Sequence, residues 1–144
     1  MYTMGEGCLF CKIASGEVPA KKVYDDGKII AFLDINPAGT LKGHTLVMPK
    51  EHRTGIEDCE ADLLAAVMRA IKKIVPAVRE VSGAEGINVL RNEGKAAGEL
   101  VPHLHFHVIP RGGGDGIHFE ENRRSAAEEE LSKTAEEIKA KLKG

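Results

Sequence analysis

Three histidines, His103, His105 and His107, fall two residues apart in the run Val101-Pro102-His103-Leu104-His105-Phe106-His107-Val108-Ile109-Pro110-Arg111. Along an extended strand successive side chains alternate between faces. The three imidazoles therefore share one face, and Leu104, Phe106 and Val108 take the other, where they can pack into a core. Successive rings would stand about 6.5–7 Å apart at strand rise. Imidazole titrates near neutrality, so neighbours on such a face can hold different protonation states at one pH. A neutral ring is a competent nucleophile toward phosphorus, and a protonated neighbour can stabilise phosphate charge or protonate a leaving group. His105, flanked on both sides, is the candidate nucleophile. Two other readings stay open at this point. Strand histidines are often plain solvated surface, and histidine clusters hold zinc, although this spacing is awkward for three ligands on one ion.

Cys8-Leu9-Phe10-Cys11 has the spacing of half a tetrahedral zinc site, with redox and chance readings competing. No βαβ pattern surrounds it, which counts against a thioredoxin-like role. Cys59 makes the cysteine count odd, and it is expected on a helix with no assigned role. No basic segment followed by an apolar stretch is readable in the N-terminal sequence MYTMGEGCLFCKIASGE. A disulfide framework is therefore not expected, and a cytoplasmic location is.

The elements that must position these groups read as strands and two helices. After a short N-terminal segment, Cys8–Gly16, strands are predicted at Lys22–Tyr24 and Lys28–Leu33, joined by an Asp26-Gly27 hairpin turn. Asn36-Pro37 and Gly39 mark a loop, and Thr45–Met48 is the next strand before Pro49. From Asp58 to Ser82, Leu64, Val67, Met68, Ile71, Ile74, Val75 and Val78 recur at helical spacing. Pro76 predicts a kink or break in that helix, and Gly83 its end. Strands Ile87–Arg91 and His103–Ile109 follow, separated by the loop Asn92–Val101. A glycine-rich connector leads to a last helix with a Ser125/Glu128 capping box and an apolar stripe of Ala127, Leu131, Ile138 and Leu142. The predicted fold class is α+β: about five antiparallel strands packed with one long helix and a C-terminal helix.

Composition narrows the function classes. The 144 residues are 42% hydrophobic and 29% charged with a formal charge of −2, which suits one ordinary globular domain and gives no polyanion-binding surface. No apolar run approaches the ~20 residues that span a bilayer. Neither nucleic acid nor membrane is an expected partner.

The His-x-His-x-His run resembles the signature of the histidine triad family of nucleotide hydrolases and transferases. Phe32-Leu33-Asp34-Ile35-Asn36-Pro37, the run from Gly43 to His52, and Asn92-Glu93-Gly94 resemble that family's other blocks in their usual order. The likeness covers about Cys8 to Arg111, making 1–111 a histidine triad domain, with 112–144 its connector and C-terminal helix. The resemblance implies a purine nucleotide substrate and a nucleotidyl-histidine intermediate on His105. His107 would contact phosphate or leaving group, His103 would orient the array, and His44 matches the upstream active-site histidine. Asp34 is similar to the ribose-binding acid, Ile35 would flank the base, and Asn92 and Gly98 match phosphate-side positions. At Glu99-Leu100 this sequence departs from a glutamine-plus-polar pattern. An ionised Glu99 cannot donate a hydrogen bond and would repel a phosphate beside it, and Leu100 has no donor, so only main-chain contacts are expected there. Some members of that family that carry the cysteine pair bind zinc, and the resemblance implies a structural site here with Cys8, Cys11, His52 and His103 as ligands. Relatives also form homodimers. The implied activity is cleavage of nucleoside phosphoramidates or related nucleotidyl linkages. A dinucleoside polyphosphate hydrolase and a zinc-stabilised nucleotide-binding module with little turnover are the alternatives.

Overall fold

Apolar runs bounded by Gly, Pro and Asp become strands, and the 3.6-residue patterns become helices. In chain order the elements are α1 (Leu9–Ala14), β1 (Lys22–Asp25), β2 (Ile29–Leu33), β3 (Thr45–Pro49), α2 (Ala61–Ser82), β4 (Gly86–Leu90), a 3-10 turn at Lys95–Ala97, β5 (Phe106–Arg111) and α3 (Glu128–Leu142). This computed structural model describes residues 7–142; the first six residues, part of the stretch read for a leader, lie outside the described residues. The five strands form one antiparallel sheet in the order β1-β2-β3-β5-β4. The expected α+β architecture is what the chain adopts.

Both faces of the sheet are covered. On one, Ile29, Ala31, Val47 and Val108 pack against Val67, Ala70, Ile71, Ile74 and Val78 of α2. On the other, Ile30, Phe32, Leu46 and Met48 pack against Phe10 and Ile13 of α1. This explains why β2 and β3 read as continuous apolar runs, the pattern of strands buried on two sides. Register then decides where the histidines go. Leu46 pairs with His107 and Val47 with Phe106, so Phe106 and Val108 face α2 while His107 lies on the α1 face.

Several local expectations are corrected. The last strand begins at Phe106 rather than His103, because the Leu104 N–H donates to the Arg53 carbonyl instead of a strand neighbour. The N-terminal segment contains α1, whose entry is capped by the Cys8 sulfur accepting from the Cys11 N–H. Cys59 sits in the buried turn before α2, not on it. In the hairpin only Gly27 takes positive φ, since Asp26 Oδ1 accepts from the Lys28 and Ile29 N–H groups and shapes the turn itself. No capping box forms at Ser125; α3 starts at Glu128, with the Ala127 carbonyl accepting from Leu131. Every residue of α3 is exposed, its apolar stripe included. Among the described residues no helix is long and apolar enough to cross a membrane.

The helix α2 also runs unbroken through Pro76, and Gly83 ends it in the left-handed conformation at φ +71°. Pro76 is exposed, while Ile74 and Val78 on either side are buried, so packing of the stripe offsets the lost backbone bond. Pro76→Ala restores that bond at some cost in unfolded-chain entropy. The expected net gain is about 1–2 kcal/mol, measured by urea denaturation.

Candidate active site

The α1 face of the sheet holds a cavity of about 310 Å³. Phe10, Ile13, Phe32, Leu46 and His105 are its buried lining, Val18, Asp34 and His107 are half-buried, and Ile35, Gly98 and Leu100 are its exposed lining. A larger groove of about 980 Å³ between the β1–β2 turn and α2 contains none of the histidines. Local sequence explains the placement. Gly43 takes φ +112°, a conformation suited to glycine, and turns the chain into β3 with His44 immediately before it. Asp34 follows the end of β2, and its N–H donates to the His44 carbonyl at 2.9 Å, joining the two strand ends.

Hydrogen bonding fixes the tautomer of each ring, because backbone groups act in one direction only. The Ala38 N–H donates to His44 Nδ1 at 2.9 Å, so a neutral His44 carries its hydrogen on Nε2. That atom lies 2.9 Å from His107 Nδ1 and donates to it, leaving the His107 hydrogen on Nε2. His105 Nδ1 donates to the His103 carbonyl at 2.7 Å, so His105 Nε2 keeps a bare lone pair. His103 Nε2 donates to the Pro49 carbonyl at 2.8 Å, so its lone pair is on Nδ1. Burial pushes His44 and His105 below the ordinary imidazole pKa, and pushes His103 and His107 down to about 4. All four rings are therefore neutral near pH 7, the state the lone-pair arrangement requires. His105 and His107 stand with ring centres 5.1 Å apart, and Phe10 packs edge-on against His105 at 4.9 Å.

His103 is fully buried and does not line the cavity. It acts on the site through its carbonyl, while its bare Nδ1 lies 3.5 Å from both Cys8 Sγ and Cys11 Sγ. Cys11 Sγ is 3.3 Å from His52 Nδ1. Tetrahedral zinc with ordinary Zn–S and Zn–N bonds separates sulfur from nitrogen by about 3.5 Å. Cys8, Cys11, His52 and His103 are thus brought together with donor spacing and a tautomer that fit a four-ligand metal site. The Pro49 carbonyl holding His103 Nε2–H and the Arg53 side chain, which grips the His52 carbonyl and Glu60, form its outer support. A second group, Asp34, His44 and His107, also has close donor atoms. It does not fit a metal, because His44 Nε2 bears hydrogen while Nδ1 accepts from Ala38.

The phosphate-side residues separate. Gly98 and Leu100 line the cavity, and Asn92 lies behind Gly98, its side-chain amide 3.9 Å from where a β-carbon there would stand. Glu99 is turned away. Its carboxylate lies 2.6 Å from Arg91 Nη1, an ion pair whose angle falls short of a hydrogen bond, and its other oxygen accepts from the Gly94 N–H at 3.3 Å. The repulsion expected between Glu99 and a phosphate is removed by this pairing. Sequence reading missed Arg91, Phe10 and the main-chain groups of Ala38 and Pro49; a partnered arginine eight residues before an unexpected glutamate was the one available signal.

Residues 15–114 match the model of the HIT domain. The chain belongs to the HIT family. An adenosine 5'-monophosphoramidase of Schizosaccharomyces pombe is 37% identical over 137 residues, covering 94% of this chain and 98% of that one. Among solved structures, a Streptococcus mutans protein superposes with a TM-score of 0.89 at 36% identity, covering 97% of this chain and 87% of its own. A zinc-bound histidine triad protein from Mycobacterium smegmatis gives 0.71 at 38% identity, covering 96% of both chains. The HIT fold and family inferred from the sequence are thereby shown.

Proposed function

We propose that this HIT protein is a hydrolase or transferase of purine nucleoside phosphoramidates and related nucleotidyl linkages, working through a nucleotidyl-His105 intermediate. The observation that carries this reading is the bare Nε2 of His105 beside the Nε2–H of His107, both rings lining one cavity. His105 Nε2 attacks the α-phosphorus and forms a P–N bond. The substrate P–N bond breaks with its electron pair on the departing nitrogen, which takes one proton from solvent and leaves as an amine. The ring is then a nucleotidyl-imidazolium whose Nδ1–H is held by the His103 carbonyl, a dipole aimed at the charge that develops. His107 Nε2–H donates to a phosphoryl oxygen throughout. Water next attacks phosphorus, the bond to His105 breaks, and the proton released returns to solvent.

Asp34 supports ribose binding. Its Oδ1 already accepts from the Asn36 N–H, and a carboxylate has acceptor capacity left for both ribose hydroxyls. Ile35, exposed at the mouth, would flank the base. Zinc is the metal this reading assigns to Cys8, Cys11, His52 and His103; when bound it would be structural, with no open position to activate water. Edge strand β4 exposes Val89 and α2 exposes Met68 and Val81, which supports a homodimer, to be checked by sedimentation at twice the chain mass. A cytoplasmic location belongs to the same reading.

Adenosine 5'-phosphoramidate should be converted to AMP and ammonia by the purified protein. Asp34→Asn should raise KM about tenfold, the worth of one charge-assisted hydrogen bond, with a smaller effect on kcat. Absence of turnover on any nucleotidyl amide would overturn the proposal.

A further inference from the structure

We infer that the leaving-group side of this site selects an amine carrying an uncharged apolar group, with Leu100 as the residue that selects it; this rests on the nucleotidyl-transfer reading above. The two most exposed large hydrophobic side chains among the described residues, Leu100 at 92% and Ile35 at 89%, line the same cavity. Single exposed leucines are common on protein surfaces. Two such residues lining the one cavity that also holds His105 and His107 point to ligand surface that covers them. They stand on different segments: Ile35 beside Asp34 on the nucleoside side, Leu100 beside Gly98 on the phosphate side. Beneath Leu100, Val101 packs against the α1 core cluster and its carbonyl accepts from the His103 N–H at 2.8 Å. The backbone is therefore anchored where Leu100 projects.

Charge points the same way. No lysine or arginine is among the described residues lining the cavity. Arg91 is engaged elsewhere, by Glu99 through Nη1, by Glu93 through Nε, and by the Thr54 carbonyl through Nη2. Its side chain is 5% exposed, so it is not available to a leaving group. A polyphosphate or sulfate leaving group would meet Leu100 with no countercharge, whereas an apolar amine would cover it. The Glu99-Leu100 departure from the family pattern then becomes a specificity device: Glu99 occupies Arg91, and Leu100 supplies apolar contact.

The test compares adenosine phosphoramidates of ammonia, of an arylethylamine and of glycine, together with a diadenosine polyphosphate, on wild type, Leu100→Ser and Leu100→Lys. In wild type the arylethylamine compound should exceed the glycine compound in kcat/KM by about tenfold, with the polyphosphate lower still. Leu100→Ser should reduce the arylethylamine-to-ammonia ratio by about five- to tenfold. Leu100→Lys should raise the polyphosphate-to-ammonia ratio by about tenfold. Equal ratios in wild type and Leu100→Ser, or a wild-type preference for the polyphosphate, would overturn the inference while leaving nucleotidyl transfer intact. No turnover of any amidate would instead remove the reading on which it rests.

Discussion

His105→Ala should lower kcat/KM for nucleoside phosphoramidates by about four orders of magnitude or more, as loss of a nucleophile does elsewhere. AMP affinity should change by no more than about threefold, because ribose and base contacts come from other segments. The size of the effect follows from geometry. His105 alone among the four rings lines the cavity with an unprotonated nitrogen. His103 directs its lone pair to the cysteines, His44 gives its two nitrogens to Ala38 and His107, and His107 presents N–H. In the proposed mechanism no neighbour can therefore replace His105 as the attacking group. His107→Ala should cost less, about two to three orders, since it removes a donor and leaves the nucleophile. Steady-state rates with isothermal binding of AMP check both halves; equal losses in binding and turnover for His105→Ala would mean a structural effect.

Replacing both cysteines, Cys8→Ser with Cys11→Ser, should take the protein from about one zinc per chain to none and lower its melting temperature by about 10 °C. A metal bound roughly a thousandfold above its dissociation constant contributes about 4 kcal/mol to the folded state. At this chain length each kcal/mol is worth about 3 °C. The loss should also reach the site. Without the metal and the two thiols, the α1 segment loses its sulfur contacts to His103 and keeps the packing of Phe10 on that ring, and His103 carries the carbonyl that sets the His105 tautomer. A fall in kcat greater than the change in KM is the expected signature. Metal analysis and a thermal melt of the same preparation make the check. Zinc-free native protein with reduced thiols and an unchanged melt would contradict the zinc assignment.

Much of the site was legible because alternation is a local property. The placement of Phe106 and Val108 against α2, and of His107 opposite, follows from the two-residue period of a strand and needs no knowledge of the partner strand. The long helix was equally plain from its apolar stripe, whereas its continuity through Pro76 depended on packing that only the fold supplies. The start of β5 was misplaced for a similar reason: Leu104 bonds to Arg53, a residue fifty-one positions earlier. The short α1 has too few residues to show a helical period, and its role in covering the histidine face was invisible in the sequence. Tautomers were beyond reach as well. They are decided by the Ala38 N–H and by the carbonyls of Pro49 and His103, main-chain groups that the residue type does not single out. For Glu99 the residue type gave the right concern, repulsion of phosphate, and the structure supplies the partner that removes it.

The most direct measurement is rapid quenching of the enzyme with an adenosine phosphoramidate under conditions that preserve phosphorus–nitrogen bonds, followed by peptide mass analysis and phosphorus NMR. The expected result is one adenylyl group on Nε2 of His105, formed and consumed at rates consistent with turnover and missing from His105→Ala. An adduct on another residue, or full turnover with no adduct at any time, would contradict the assignment of His105 as the attacking group.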